Sequence, residues 1–199
     1  MKDGINILTP SATSNRKKFL ESCSMPAERP AVFYATFEGN DYCRYAEAQP
    51  GTITPADALV TRQSRVPLFL PLADCTGAVL YDSRQHILML SHLGRHSTEQ
   101  FGAARSVAYL HDTYGTSPTD LRVWLSPSPN GDAYPLWSFD NKSFKEVLSE
   151  QFQTAGVSKD SIEVSEIDTI TNPHYYSHSE YLKGNRASDG RYAIVAMIH

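Results

Sequence analysis

Apolar and polar positions along this chain fall into short blocks with two different periods. Val32-Phe33-Tyr34-Ala35-Thr36-Phe37, Ala58-Leu59-Val60-Thr61, Leu121-Arg122-Val123-Trp124-Leu125 and Ile162–Ile167 are β-branched or aromatic runs of strand length, as is the largely apolar Tyr192–Ile198. Val66–Leu72, Ala78–Asp82 and His86–Leu90 are almost continuously apolar, the pattern of strands buried on both faces. Pro67 and Pro71 each remove a ladder donor from the first of these, which places it at a sheet edge or at a bulge.

Elsewhere the period changes to that of a helix. Ser97 and Gln100 form a capping-box pattern ahead of Phe101, Ala104, Val107, Ala108 and His111, which predicts a helix running to about Thr113 and stopping at Gly115. Its free N–H groups would make the stretch His92–Ser97 attractive to an anion. Ser143 and Glu146 cap a second helix with Phe144, Val147, Leu148, Gln151 and Phe152 on one face and Gly156 past its end. A shorter helix is expected near Lys17 to Cys23, inside an otherwise irregular entry segment, residues 1–31. Residues 32–199 then make one α+β domain, a mixed central β-sheet of roughly seven to nine strands flanked by two or three helices.

Charge removes some functions from consideration. The net charge is −4, and no basic cluster is denser than Asn15-Arg16-Lys17-Lys18, so the chain lacks the concentrated basic surface with which proteins meet nucleic acid. Neither a secretory leader nor a run of ~20 apolar residues is present, which makes a cytoplasmic protein without a membrane segment the expectation. Three cysteines, Cys23, Cys43 and Cys75, argue for free thiols in that compartment rather than a disulfide framework.

Of these thiols only Cys75 has chemically suggestive company. The apolar run before it ends at Ala73-Asp74-Cys75-Thr76-Gly77, and the run His86–Leu90 ends at Ser91-His92-Leu93-Gly94-Arg95-His96. Adjacent strands would bring Cys75 and His92 together, and a thiolate with an imidazole suits zinc or copper. His92 and His96 are spaced i, i+4, but Gly94 and the cap at Ser97 put the first on a strand end and the second in a turn. Glu38 ends another strand and is a third candidate ligand, or an exposed carboxylate. Asp74 is either a turn residue or an acceptor that orients a ligand histidine. In the segment His174-Tyr175-Tyr176-Ser177-His178 the rings either pack on the domain or stack on an aromatic ligand, and Arg191 either binds an anion or pairs with a carboxylate.

Taken together these segments resemble the YfiH-like, laccase-domain proteins, also called multicopper polyphenol oxidoreductases or peptidoglycan editing factors. Asp57-Ala58-Leu59-Val60-Thr61 is similar to the family's DALVT, and Ala73–Leu80 to its ADCxPVLL. Ser91-His92-Leu93-Gly94 resembles the start of HAGWRG, and Tyr175–His178 with Gly190-Arg191 the ending FFSxR…GR; the likeness spans about residues 32–198. It implies a YfiH-like α+β fold with one zinc held by a His, a Cys and a His, of which Cys75 and His92 stand at two positions and Glu38 replaces the first histidine. The family's Trp-Arg pair is replaced by Arg95-His96, so the arginine is displaced by one residue or lost.

The activities attached to that family are copper-dependent phenol oxidation, purine nucleoside phosphorolysis with adenosine deamination, and hydrolytic editing of peptidoglycan precursors. Seven scattered histidines are few for a multicopper cluster, so zinc is expected, with copper the alternative ion. The expectation is a zinc-dependent purine nucleoside phosphorylase or hydrolase whose metal ligands are Cys75, His92 and Glu38. Glu38, Arg95 and His96 are its candidate catalytic residues. Tyr175, Tyr176, His178 and Arg191 are its candidate substrate contacts, and its substrates a purine nucleoside and phosphate. The alternatives are a member that binds a small ligand without turnover and an enzyme of cell-wall precursors.

Overall fold

The protein is described from a computed structural model over residues 7–36 and 39–199; Glu38 and Phe37 lie outside the described residues. Its elements are α1 (Pro10–Ser22), β1 (Ala31–Tyr34), β2 (Tyr45–Glu47), β3 (Ile53–Pro55), β4 (Ala58–Thr61), β5 (Leu68–Leu72), β6 (Thr76–Asp82), β7 (Ile87–Leu93), α2 (Arg95–Glu99), α3 (Gly102–Tyr114), β8 (Leu121–Leu125), α4 (Phe144–Thr154), β9 (Ile162–Val164), α5 (His178–Leu182) and β10 (Tyr192–Ala196). The α+β class is as the sequence indicates, with the strands divided over two mixed sheets. One has the order β10-β5-β1-β3, the other β2-β4-β7-β6-β8-β9. No helix of the described residues is long and apolar enough to cross a membrane.

Period-2 alternation in the buried strands sets the layers. Along β7, Ile87, Met89 and Leu93 join Ala78 and Leu80 of β6 in a core completed by Val107 and Leu110 of α3 and by Phe144, Val147, Leu148 and Phe152 of α4. Leu88 and Leu90 point the other way, into a second core shared with Phe33, Leu68, Leu70 and Ile194 of the smaller sheet. α1 covers the outer face of that sheet, where Leu20 meets Val32 and Phe69. The order of layers is therefore α1, small sheet, large sheet, α3 with α4. His92 shares its strand face with Leu88 and Leu90, so it looks toward the small sheet, whereas Ser91 looks toward the helices and its Oγ sits 3.2 Å from Ser106 Oγ.

Several local readings are corrected. β5 lies inside its sheet between β10 and β1, not at an edge. Its prolines are tolerated because pairing with β1 covers only Leu68 and Phe69 and ends before Pro71, while β10 pairs along Leu68 to Leu72. The helix expected from Ser97 is two helices, since Phe101 adopts a left-handed φ of 58° between α2 and α3. α2 begins at Arg95 with Gly94 as N-cap, and Ser97 sits at its third position, where its Oγ accepts from Gly94 N at 2.9 Å. His96 is thus helical rather than in a turn, and a five-residue helix does not provide the extended anion-attracting start expected there. The buried face of α3 is Gly102, Ala103, Ser106, Val107 and Leu110, rotated from the apolar stripe read in the sequence; Phe101 is 59% exposed. The helix near Lys17 starts earlier, at Pro10, capped by Thr9.

α4 follows its sequence pattern throughout. Ser143 Oγ accepts from Glu146 N, the Glu146 carboxylate accepts from Ser143 N, and the buried side chains are Phe144, Val147, Leu148, Gln151 and Phe152. The buried Gln151 amide ties the helices together: Nε2 donates to Thr98 O at 2.8 Å and Oε1 accepts from Ala103 N at 3.3 Å. Gln151→Leu is expected to cost about 2 kcal/mol, because it orphans two buried backbone groups while keeping volume. Urea unfolding of the variant against the parent measures this, and a change within ~0.5 kcal/mol would show that the amide only fills space.

Candidate functional site

The site lies where the chain leaves the small sheet for the large one. β5 ends at Leu72, Asp74 turns the backbone with a left-handed φ of 67°, and β6 starts at Thr76, so Cys75 is presented at the junction of the sheets. His92, one residue from the end of β7, is in register with Gly77 of β6. Its backbone N–H is fixed by Asp57 O at 2.7 Å. Asp57 is itself buried and receives Arg44 through both the backbone N, 3.0 Å, and Nε, 3.1 Å.

Gly94 holds this corner open. A Cβ built on it would stand 3.0 Å from Cys75 Sγ, 3.0 Å from His92 Cε1 and 3.4 Å from His92 Nε2, so the thiol and the imidazole border one side-chain-free space. Around that space is a cavity of about 340 Å³ whose lining includes Asp57, Asp74, Cys75, His92, Arg95, His96, Tyr134 and His178. Three of these carry buried polar atoms with no hydrogen-bond partner among the described residues: His92 Nδ1, Asp74 Oδ1 and Arg95 Nε. Buried polar groups are nearly always paired, and here three residues with unused hydrogen-bonding capacity line one cavity.

The surroundings set the protonation states. Burial pushes the Cys75 thiol up to about 12, helped by Asp74 and opposed by Arg191 and Arg95. Burial likewise pulls His92 down to about 4 against the opposing charge of Asp57. At neutral pH the pair is a neutral thiol and a neutral imidazole. Such a pair gives up one proton, from sulfur, when it takes up a cation.

Arg95 is held flat by aromatic rings, its guanidinium carbon 4.8 Å from the Tyr134 ring centre and 5.0 Å from that of Trp137. His96 is half exposed, stacks on Tyr42 at 4.7 Å and faces Glu99 at 3.6 Å. Asp74, left open between turn and orienting residue, makes the turn and accepts from Ser179 N at 2.6 Å, docking the start of α5 onto the site. His178, the first residue of α5, contacts Asp189 through Nδ1 at 3.1 Å. His178 is therefore at a helix start, with Ser177 as its cap.

Cys75, His92, Arg95, His96 and His178 thus come together, whereas Tyr175, Tyr176 and Arg191 line a different, larger cavity. Arg191 takes the carboxylate option, bonding Asp189 Oδ1 at 2.7 Å. Tyr175 packs edge-on against Tyr192, whose hydroxyl donates to Pro127 O at 3.0 Å and Cys75 O at 3.3 Å. Asp57, Tyr42, Tyr134 and Trp137 were not singled out as site residues. Only Asp57, opening the segment similar to DALVT, had a sequence signal.

A structural zinc needs four ligands and a catalytic one three, and among the described residues no group of three His, Cys, Asp or Glu side chains is arranged to hold a metal. The donor chemistry of Cys75 and His92 fits zinc as two of its ligands, and Glu38 lies outside the described residues.

Residues 10–144 match the family described as multi-copper polyphenol oxidoreductase laccase. No curated protein matches the chain. Among solved structures it is similar to the hypothetical protein YfiH of Bacillus licheniformis, with 19% identity, a TM-score of 0.78, 94% of this chain and 81% of that one covered. It is also similar to YlmD of Geobacillus stearothermophilus, with 21% identity, a TM-score of 0.74, and 94% and 80% covered. A DUF152 protein of Neisseria meningitidis gives 15% identity, a TM-score of 0.67, and 96% and 83% covered. These similarities establish the fold, and with a family match over more than half of its length the chain belongs to the multi-copper polyphenol oxidoreductase laccase, or YfiH-like, family.

Proposed function

We propose that this corner binds one zinc ion through Cys75 and His92 and that the protein is a zinc-dependent enzyme acting on purine nucleosides by phosphorolysis or hydrolysis. The observation that supports it is the shared space over Gly94, bordered by a buried thiol and imidazole and surrounded by orphaned polar atoms. Bound zinc would supply Lewis acidity, toward a leaving base or toward a water whose pKa it brings to ~7. Arg95, kept in place by Tyr134 and Trp137, meets the phosphate charge. His96 and Tyr42 form a stacked pair at the rim against which a base can lie. His178, bonded to Asp189, presents its remaining ring nitrogen for proton transfer. Glu38 would be the third ligand or hold a water, and copper is the alternative ion.

Elemental analysis of tag-free protein tests the proposal. About one zinc per chain is expected, lost in Cys75→Ala, together with release of purine base from a nucleoside in phosphate buffer. Because Cys75 is protonated in the free protein, zinc affinity is expected to rise about tenfold per pH unit between pH 6 and 8, the slope of one released proton. Negligible metal in the parent would defeat the zinc reading. It would favour a member that binds a small ligand without turnover. In that case Glu38→His would create metal binding where there was little.

A further inference from the structure

The larger cavity, about 760 Å³, belongs to a different part of the molecule. Its lining includes Phe69 from the outer face of the small sheet, Trp124 and Tyr192, which pack partly against the core between the sheets, and Tyr175 and Tyr176. Its roof is α1, which presents Ala12, Asn15, Arg16 and Phe19. Those positions are spaced i, i+3, i+4 and i+7, one face of a helix. α1 has a single buried residue, Leu20, and touches the sheet through Phe19, whose ring meets that of Phe69 edge-on at 6.0 Å, while Ala12, Asn15 and Arg16 border the open volume.

Charge indicates what would fill it. The cavity has two arginines, and Arg191 is already neutralised by Asp189 and further bonded to Gly190 O at 2.6 Å. Arg16 is not. Among the described residues its guanidinium reaches only Ile7 O at 3.4 Å and Thr13 Oγ1 at 3.3 Å, both long for hydrogen bonds, and faces no carboxylate. It lies over the Phe69 ring, 5.9 Å from its centre, and burial lowers its pKa, the penalty of a cation partly removed from water with no carboxylate beside it among the described residues.

We propose that this cavity is a second binding site, separate from the Cys75–His92 corner, for a small aromatic monoanion, a planar ring system bearing one carboxylate or sulfonate. The rings of Phe19, Phe69, Trp124 and Tyr175 hold the aromatic part and Arg16 meets the charge in the fork geometry that suits such groups. The cavity volume is within the range of small-molecule sites. Asp189 touches both regions, bonding His178 on one side and Arg191 on the other, so the two sites share a wall but no ligand contacts. The proposal does not depend on the metal reading.

Two fluorescent probes of similar shape test it, anionic 8-anilinonaphthalene-1-sulfonate and neutral N-phenyl-1-naphthylamine, titrated into folded protein at neutral pH. Saturable binding of one anionic probe per chain is expected. Arg16→Gln should weaken the anionic probe about tenfold and leave the neutral one within about twofold, since only the charged hydrogen bond is removed. Ala12→Trp, which sets a large ring on the cavity-facing side of α1, should weaken both probes. Cys75→Ala should weaken neither. The variants are compared only where circular dichroism and the melting temperature match the parent. Absence of saturable binding, equal loss of both probes in Arg16→Gln, full binding in Ala12→Trp, or loss in Cys75→Ala would each overturn the proposal.

Discussion

Gly94→Ala is expected to weaken zinc binding about 100-fold while the protein stays folded, an effect at the upper end of what changes beside a metal ligand produce. The argument rests on where the added methyl would go. At 3.0 Å from both Cys75 Sγ and the His92 ring it would occupy the space between the two donors, at distances tighter than ordinary carbon contacts allow. Neither neighbour can withdraw easily, because Cys75 lies in the turn fixed by Asp74 and His92 is tied to Asp57 on a wholly buried strand. The backbone itself does not require glycine, since Gly94 has φ −92° and ψ −177°, values open to alanine. Competition with a chromophoric chelator measures the affinity, and urea unfolding of the metal-free variant checks the fold. Zinc binding equal to the parent's would remove Cys75 and His92 as a joint site.

Why the pair was legible in the sequence while its environment was not has a physical explanation. Cys75 immediately precedes β6 and His92 stands near the end of β7, two consecutive apolar strands that pair antiparallel with Thr76 opposite Leu93, so two local patterns suffice to bring them together. α4 was equally legible because capping and periodicity agree over the same residues. α3 was misjudged in its rotation because its inward face is made by small residues, Gly102, Ala103 and Ser106, which hydropathy does not flag. Pro71 suggests an edge strand, but pairing with the strand beside it stops two residues earlier, at Phe69, a tertiary fact with no local trace. The aromatic clamp on Arg95 comes from Tyr134 and Trp137 in an irregular stretch forty residues on, with no period to read. Tyr175 and Tyr176 are expected among the substrate contacts, together with His178, through the likeness of that segment to the FFSxR ending. The helix cap at Ser177 turns the chain between them, leaving the tyrosines on one cavity and the histidine on the other.

Metal-free protein is expected to lose on the order of 3 kcal/mol of stability through His92 alone as the pH falls from 7 to 4. The imidazole titrates near 6.5 in the unfolded chain but at about 4 in the folded one, because burial penalises its charged form more than the Asp57 carboxylate favours it. As pH falls below 6.5 the unfolded chain takes up a proton that the folded chain refuses, so the equilibrium moves toward unfolding. The stability is fully present above that value, declines through the window down to about 4, and changes no further below it. Cys75 does not add to the slope, since its thiol is protonated in both states across this range. The carboxylates Asp57 and Asp74 remain in a His92→Gln variant, which removes the titrating imidazole and keeps a polar, neutral side chain in the space. Subtracting the variant's stability from the parent's at each pH, by urea unfolding after chelation, isolates the histidine. A difference that stays flat from pH 7 to pH 4.5 would mean that His92 is solvated in solution and that the corner is open rather than sealed. A fall of the expected size would establish that the imidazole is held neutral and ready to accept a cation without first losing a proton.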